Sequence, residues 1–222
     1  MFRPISRLAG LFLLLAAPIL AQDRPAIGSN LDRPNDWNTE FAFVDAFRTS
    51  RQWISGRAWS QTEPGAWADG RALDLDERGW VRSLQPGQIA RTLLFWGNGL
   101  RYPSGRYVVL HDGQGTVLWT QNVRRVESSP GRLVIEVDSA WGSGIGLFLT
   151  AVNPADHLRN LRVLMPGFEG YAGIFHPDFL ARLRGYTTIR FLNWMAHEQL
   201  QPHGRWSERP RIDDARWSGR GV

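Results

Sequence analysis

Between residues 57 and 165 the apolar positions come in short runs broken by turn residues, and several runs alternate apolar with polar side chains at period two. RALDLDE, RTLLFWG, RYVVLHD, GTVLWT, RLVIEVD, IGLFLTAV and HLRNLRVLM are the strands this pattern predicts, joined by DERG, NGLRYPSG, DGQG and SSPG. HDGQGTVLW reads as a hairpin, two β-rich runs around a Gly-rich turn. About seven strands at near-regular spacing, with no helical pattern between them, predict a mainly β fold. The expected architecture is an antiparallel β-sandwich of jelly-roll type rather than a parallel α/β sheet.

The pattern changes on either side of this region. Residues 22–39, rich in Pro, Asn, Asp and Gly, predict an irregular lead-in. EFAFVDAFRTSRQWI then places Phe43, Phe47 and Ile54 on one helical face behind a possible Thr39 cap, which predicts a short N-terminal amphipathic helix. Beyond PGFEGYAG, the segment HPDFLARLRGY predicts a helix opening at Pro177 and ending at Gly185, and YTTIRFLNWM predicts a strand after it. Helix, strand and long polar loop together read as the beginning of an α/β unit.

Residues 1–21 have a grammar of their own. Arg3 and Arg7 precede an apolar run from Leu8 to Leu20 and the small residue Ala21, the pattern of a secretory signal peptide. The run is interrupted by Pro18 and falls short of the roughly 20 apolar residues that a membrane span needs. The expectation is a secreted or periplasmic protein with no membrane attachment after cleavage. Removing 21 residues from 222 leaves 201, enough for a large core. The chain has no Cys, which excludes disulfides, a thiol nucleophile and a thiolate metal site.

All 26 basic residues are Arg, and losing Arg3 and Arg7 with the leader takes the net charge from +5 to +3. A nucleic-acid surface would cluster its arginines with stacking aromatics, whereas these are scattered among acids, so no nucleic-acid partner is expected.

Four stretches, IGSNLDRPNDWNTEFAFVDAFRTSRQWI, LDLDERGWVRSL, HLRNLRVLMPGFE and IRFLNWM followed by Trp and Arg, occur in this order along the chain. Together they resemble the N-terminal part of a family of secreted bacterial proteins described as cellulose-binding or glycoside-hydrolase-like. In that family a β-sandwich similar to carbohydrate-binding modules precedes a (β/α)8 barrel. The resemblance implies a signal peptide at 1–21, a lead-in with a short helix at 22–56, a β-sandwich at 57–170 and the incomplete start of a barrel domain at 171–222. It also implies that the acid/base pair of such a barrel would lie on later strands, so the chain itself is expected to bind without turnover. Two alternatives stand beside this: an N-terminal fragment of a glycoside hydrolase whose catalytic barrel is missing, and a structural remnant that binds nothing.

Sugar sites combine aromatic faces, which stack on the apolar face of a pyranose, with Asn, Asp, Arg and Glu, which bond its hydroxyls. The chain has eleven Trp. Trp96 and Trp119 lie in apolar runs and are expected to be structural, whereas Trp59, Trp67, Trp80 and Trp141 flank polar or Gly-rich segments and are the better candidates for exposure and sugar stacking, with packing in the core or at a domain interface as the alternative for each. Trp80, following the DERG turn, is the first choice for a stacking platform. A second group, Asn193, Trp194, Glu198 and Trp206, falls at the end of the last predicted strand and beyond it, where a barrel would face its ligand. Glu198 alone cannot perform two-carboxylate hydrolysis. His197 and His203 are six residues apart without a third obvious ligand, and DLDERG has Arg78 where a calcium loop would want another oxygen donor. No cofactor or metal is expected, and the expected partner is a neutral polysaccharide.

Overall fold

The computed structural model describes residues 27–57, 67–97, 101–191, 193–194 and 211–218. The chain is mainly β. In order the strands are β1 (Gly28–Asn30), β2 (Ile54–Arg57), β3 (Asp74–Leu75), β4 (Val81–Ser83), β5 (Gln88–Leu94), β6 (Gly105–Asp112), β7 (Gly115–Trp119), β8 (Val123–Ser129), β9 (Arg132–Val137), β10 (Ile145–Val152), β11 (Arg159–Leu164) and β12 (Thr188–Arg190). Helical structure among the described residues comprises α1 (Pro177–Leu183) and two 3-10 turns, Ala46–Thr49 and Ser139–Trp141. None of the described helices is long and apolar enough to cross a membrane.

Two four-stranded sheets, ordered β2-β5-β10-β7 and β11-β6-β9-β8, hold most of the chain, and every pairing within them is antiparallel. Period-two alternation decides what most of the strands turn inward, whereas β5 is buried along its whole length. Ile145, Leu147 and Leu149 of β10 join Ala90 and Leu94 of β5 in one cluster with Tyr107 and Val109 of β6, Ile135 and Val137 of β9, and Leu161 and Val163 of β11. Both sheets therefore contribute to the same core. Each fully buried aliphatic side chain in it stabilises the fold by about 1.5–3 kcal/mol. Tyr107 is fully buried, yet its hydroxyl donates to the Pro103 carbonyl at 2.7 Å, so no polar atom is stranded there.

The turns differ from expectation in an instructive way. HDGQGTVLW is not a hairpin, because β6 belongs to one sheet and β7 to the other. Its turn is held from outside: the Gln114 amide donates to the Asp156 carbonyl at 2.8 Å, and a Cβ on Gly113 would meet the His157 carbonyl oxygen at 2.1 Å. The tight hairpin is β8–β9, where Ser129 pairs with Arg132 across Pro130 and Gly131, the latter at φ 71°. DERG does close a hairpin, between β3 and β4. There Asp76 Oδ1 accepts from the amides of Arg78 and Trp80, both at 2.9 Å, which commits that carboxylate to the turn.

The helix expected over EFAFVDAFRTSRQWI does not form. Phe43 and Asp45 make isolated bridges to Phe175 and Leu164, a 3-10 turn occupies Ala46–Thr49, and Ile54 opens β2. Asp45 is the pivot, its Oδ1 accepting from the Phe47 amide at 3.1 Å and from the Val163 amide of β11 at 2.8 Å. Backbone pairing to neighbouring strands outweighs the helical spacing of the phenylalanines.

The lead-in, expected to be irregular, supplies β1, which pairs in parallel with β12. Helix α1 forms as expected behind Pro177, with His176 Nδ1 accepting from the Asp178 amide at its N-terminus. Leu31, Phe43, Phe179, Trp194 and Trp217 gather into a second cluster that ties the lead-in, α1 and residues 211–218 together. The last segment is also joined to the rest of the fold through Trp217, whose amide donates to the Arg48 carbonyl at 2.8 Å and whose ring lies 4.7 Å from the Arg48 guanidinium.

Candidate functional site

An open groove is lined by Ser104, Gly105, Gln121, Asn122, Arg124, Glu136, Val137, Asp138 and Trp141. Trp141 is 83% exposed, the most exposed large apolar side chain among the described residues. It sits on the 3-10 turn that follows β9, a turn capped by Asp138, whose Oδ1 accepts from the Ala140 amide at 3.0 Å.

The turn is fastened on two sides. Ser104 Oγ accepts from the Ser139 amide at 2.9 Å and lies 2.7 Å from the Ser139 hydroxyl. Beneath it, buried Asn122 donates from Nδ2 to the Tyr102 hydroxyl and to the Gly144 carbonyl, each at 3.0 Å. Tyr102 in turn donates to the Gly142 carbonyl at 2.9 Å, and burial raises its phenol above the ordinary tyrosine value, so it remains a donor. Gly142 is required here, because a Cβ would meet Asn122 Nδ2 at 2.7 Å. A hydrophobic face is thus displayed to solvent on a backbone locked from below.

Around that face stand hydroxyl-binding groups. Arg124 and Glu136, directly paired across β8 and β9, form an exposed ion pair. That pair cancels its own charge, and Asp138 is engaged in its cap. The groove has the chemistry to stack a ring and hydrogen-bond its edge, with its two carboxylates already committed to structural partners.

Of the residues singled out from the sequence, Trp141 lines this groove. Trp80 does not face solvent: it is 3% exposed and stacks on Phe47 with ring centroids 5.6 Å apart and planes 14° apart, so it is a core residue and not the stacking platform of first choice. The DERG turn carries the chain back over the core instead of away from it. Trp194 is likewise buried, against Phe43, Phe175 and Phe179, with Asn193 half-buried beside it. Trp67 is partly exposed, with the buried Arg91 guanidinium 5.7 Å from its ring, and is not part of the groove. Trp59, Glu198 and Trp206, and with them His197 and His203, lie outside the described residues.

Trp96, expected to be structural, is 44% exposed, whereas Trp119 packs against the core as expected. The sequence reading missed Arg124 because VRRVESS lacks a clean alternation and does not read as a strand; Glu136 lies in the predicted strand RLVIEVD, but its partner across β8 is hidden for the same reason, and Gln121 and Asn122 sit in the turn before β8 with no local signal. The available signal was Asp138, a cap residue placed ahead of a Trp and a run of glycines. Among the described residues there is no grouping of three or more His, Asp or Glu able to hold a metal ion.

No family model, curated protein or solved structure matches the chain.

Proposed function

We propose that this chain is a secreted carbohydrate-binding-like protein that recognises a neutral extracellular polysaccharide at the Trp141 groove, without turnover. The observation that carries the reading is Trp141 itself, 83% exposed on a turn locked by Ser104, Asn122 and Tyr102. An unanchored Trp at that exposure would gain nothing from such fastening, whereas a stacking platform gains affinity from being held in place before the ligand arrives. The self-compensated Arg124–Glu136 pair supports a neutral ligand.

The proposed architecture is a jelly-roll-like β-sandwich. Its support is nested pairing: β5 with β10 encloses β6 with β9, and β10 with β7 and β11 with β6 extend the two sheets. Nesting of this kind is how a folded-over ribbon of strands distributes itself between two sheets. The parallel β1–β12 pair behind α1 favours reading residues 171–222 as the start of an α/β unit.

The test is affinity gel electrophoresis of the full chain in gels with and without hydroxyethylcellulose. Retardation by the neutral glucan is expected to persist at high salt and to be lost in Trp141→Ala, a weakening of about tenfold or more. A Trp141→Ala protein retarded as strongly as the parent would remove the proposal.

A further inference from the structure

Trp96 follows directly on the buried strand β5 and its kinked neighbour Phe95, yet it is 44% exposed. The chain turns it outward at a cost. Phe95 takes φ 58°, a left-handed conformation that a bulky side chain rarely adopts. That kink breaks the alternation of the strand, because Leu94 and Phe95, adjacent in sequence, both pack into the main core. Phe95 stacks on Tyr102 with centroids 5.4 Å apart and planes 11° apart, and Trp96 is left facing solvent. Strain of this kind persists only where the surrounding structure enforces it, and it gathers at ligand sites.

The exposed ring is braced, as the Trp141 turn is. The Arg51 guanidinium stands over it, 6.0 Å from its centroid, and is itself held by Asp36, a 2% exposed residue whose carboxylate accepts from Arg51 Nη2 at 2.8 Å. Tyr102 serves both tryptophans: its ring stacks on the residue before Trp96, and its hydroxyl donates to the carbonyl of the residue after Trp141. The two loops also run side by side. The Gly97 amide donates to the Ser143 carbonyl at 2.9 Å, and a Cβ on Gly144 would come within 3.1 Å of the Trp96 Cα. Gly144 lies three residues beyond Trp141, at most about 11 Å of extended chain. Both tryptophans therefore occupy the end of the fold where β5 finishes and β10 begins. Trp96 does not line the Trp141 groove, so it has a different part of a ligand to meet.

We infer that Trp96 is a second stacking position of the Trp141 site, so that the ligand is held along several consecutive sugar residues and not at a single residue. This rests on the polysaccharide reading of the Trp141 groove. It agrees with a neutral ligand, because the Arg51 charge behind the ring is compensated by Asp36. Once one ring has stacked, the second contact forms within the same complex at high effective concentration, so affinity depends on the length of the sugar chain.

Isothermal titration of the full chain with cellobiose and cellohexaose, together with ¹⁵N NMR of its indole N–H groups, tests this. Cellohexaose is expected to bind the parent about tenfold or more tighter than cellobiose and to shift the indole signals of both Trp96 and Trp141. Trp96→Ala is expected to weaken cellohexaose about tenfold, and Trp96→Tyr, which keeps an aromatic face, to recover most of the loss. Cellohexaose binding unaltered in Trp96→Ala would overturn the second position, as would a Trp96 indole signal that stays in place when the parent is saturated, a measurement that needs no variant. If Trp141→Ala abolishes binding while Trp96→Ala leaves it intact, the second position fails and the Trp141 reading stands. A parent chain that binds neither oligosaccharide and is not retarded by hydroxyethylcellulose would remove the polysaccharide reading and the second position with it.

Discussion

Asn122 donates a hydrogen bond to the Tyr102 hydroxyl at 3.0 Å, and through this contact a buried polar pair fixes the backbone that presents Trp141. Neither side chain offers itself to a ligand as Trp141 does. Their role is to hold the carbonyls of Gly142 and Gly144 in place.

Tyr102→Phe should therefore destabilise the protein by about 1 kcal/mol, and Asn122→Ala by about 1–3 kcal/mol because it leaves buried partners unsatisfied. Urea denaturation measures both. Equal stability of the two variants and the parent would show that the pair is not coupled to the fold.

The two tryptophans that looked alike in sequence should separate sharply. Trp80→Ala removes a buried ring stacked on Phe47 and is expected to cost about 3–5 kcal/mol, whereas Trp141→Ala at a solvent-facing position should change stability by about 0.5 kcal/mol or less. Chemical denaturation of the two variants side by side decides the matter.

His176 links α1 to pH. Burial lowers its pKa below the ordinary 6.5, with Arg182 acting in the same direction against Asp178, and its neutral Nδ1 is the acceptor at the helix N-terminus. The folded state thus binds this proton less readily than the unfolded chain. The contribution to stability is fully present above pH 6.5 and is lost progressively as pH falls from there toward the folded-state value. Imidazole NMR titration should place the transition below 6.5, with amide exchange in α1 accelerating through it. A titration above 6.5 would reverse the sign.

The β1–β12 pair should be less protected than the sheets. Both strands are three residues long and largely exposed, while β9 buries Val134, Ile135 and Val137. Because Leu31 donates to Arg190 and Thr187 to Ile27, both at 3.0 Å, the two ends should exchange together. Hydrogen exchange that finds β12 as slow as β9 would contradict this.

The sequence alone determined the elements whose signal is local. Alternation in RLVIEVD and IGLFLTAV specifies strands with one face inward, Pro177 and Gly185 bound a helix, and DERG is a turn, because each depends on side-chain period or on residue-specific backbone preference. Partner choice was decided only in three dimensions. GTVLW follows RYVVLHD closely enough to pair with it, yet contacts of Gln114 with Asp156 and Asn153 send it to the other sheet. Phe43 and Phe47 have helical spacing, but isolated bridges from Phe43 to Phe175 and from Asp45 to Leu164 hold that backbone extended. The tryptophans show the same division. Trp80 and Trp141 both border polar, Gly-containing segments, and an amphipathic ring suits either a core or a surface. Which way each faces depends on where its strand end lies relative to Phe47 and to the Asn122–Tyr102 pair, residues distant in sequence and brought together only by the packing of the sheets.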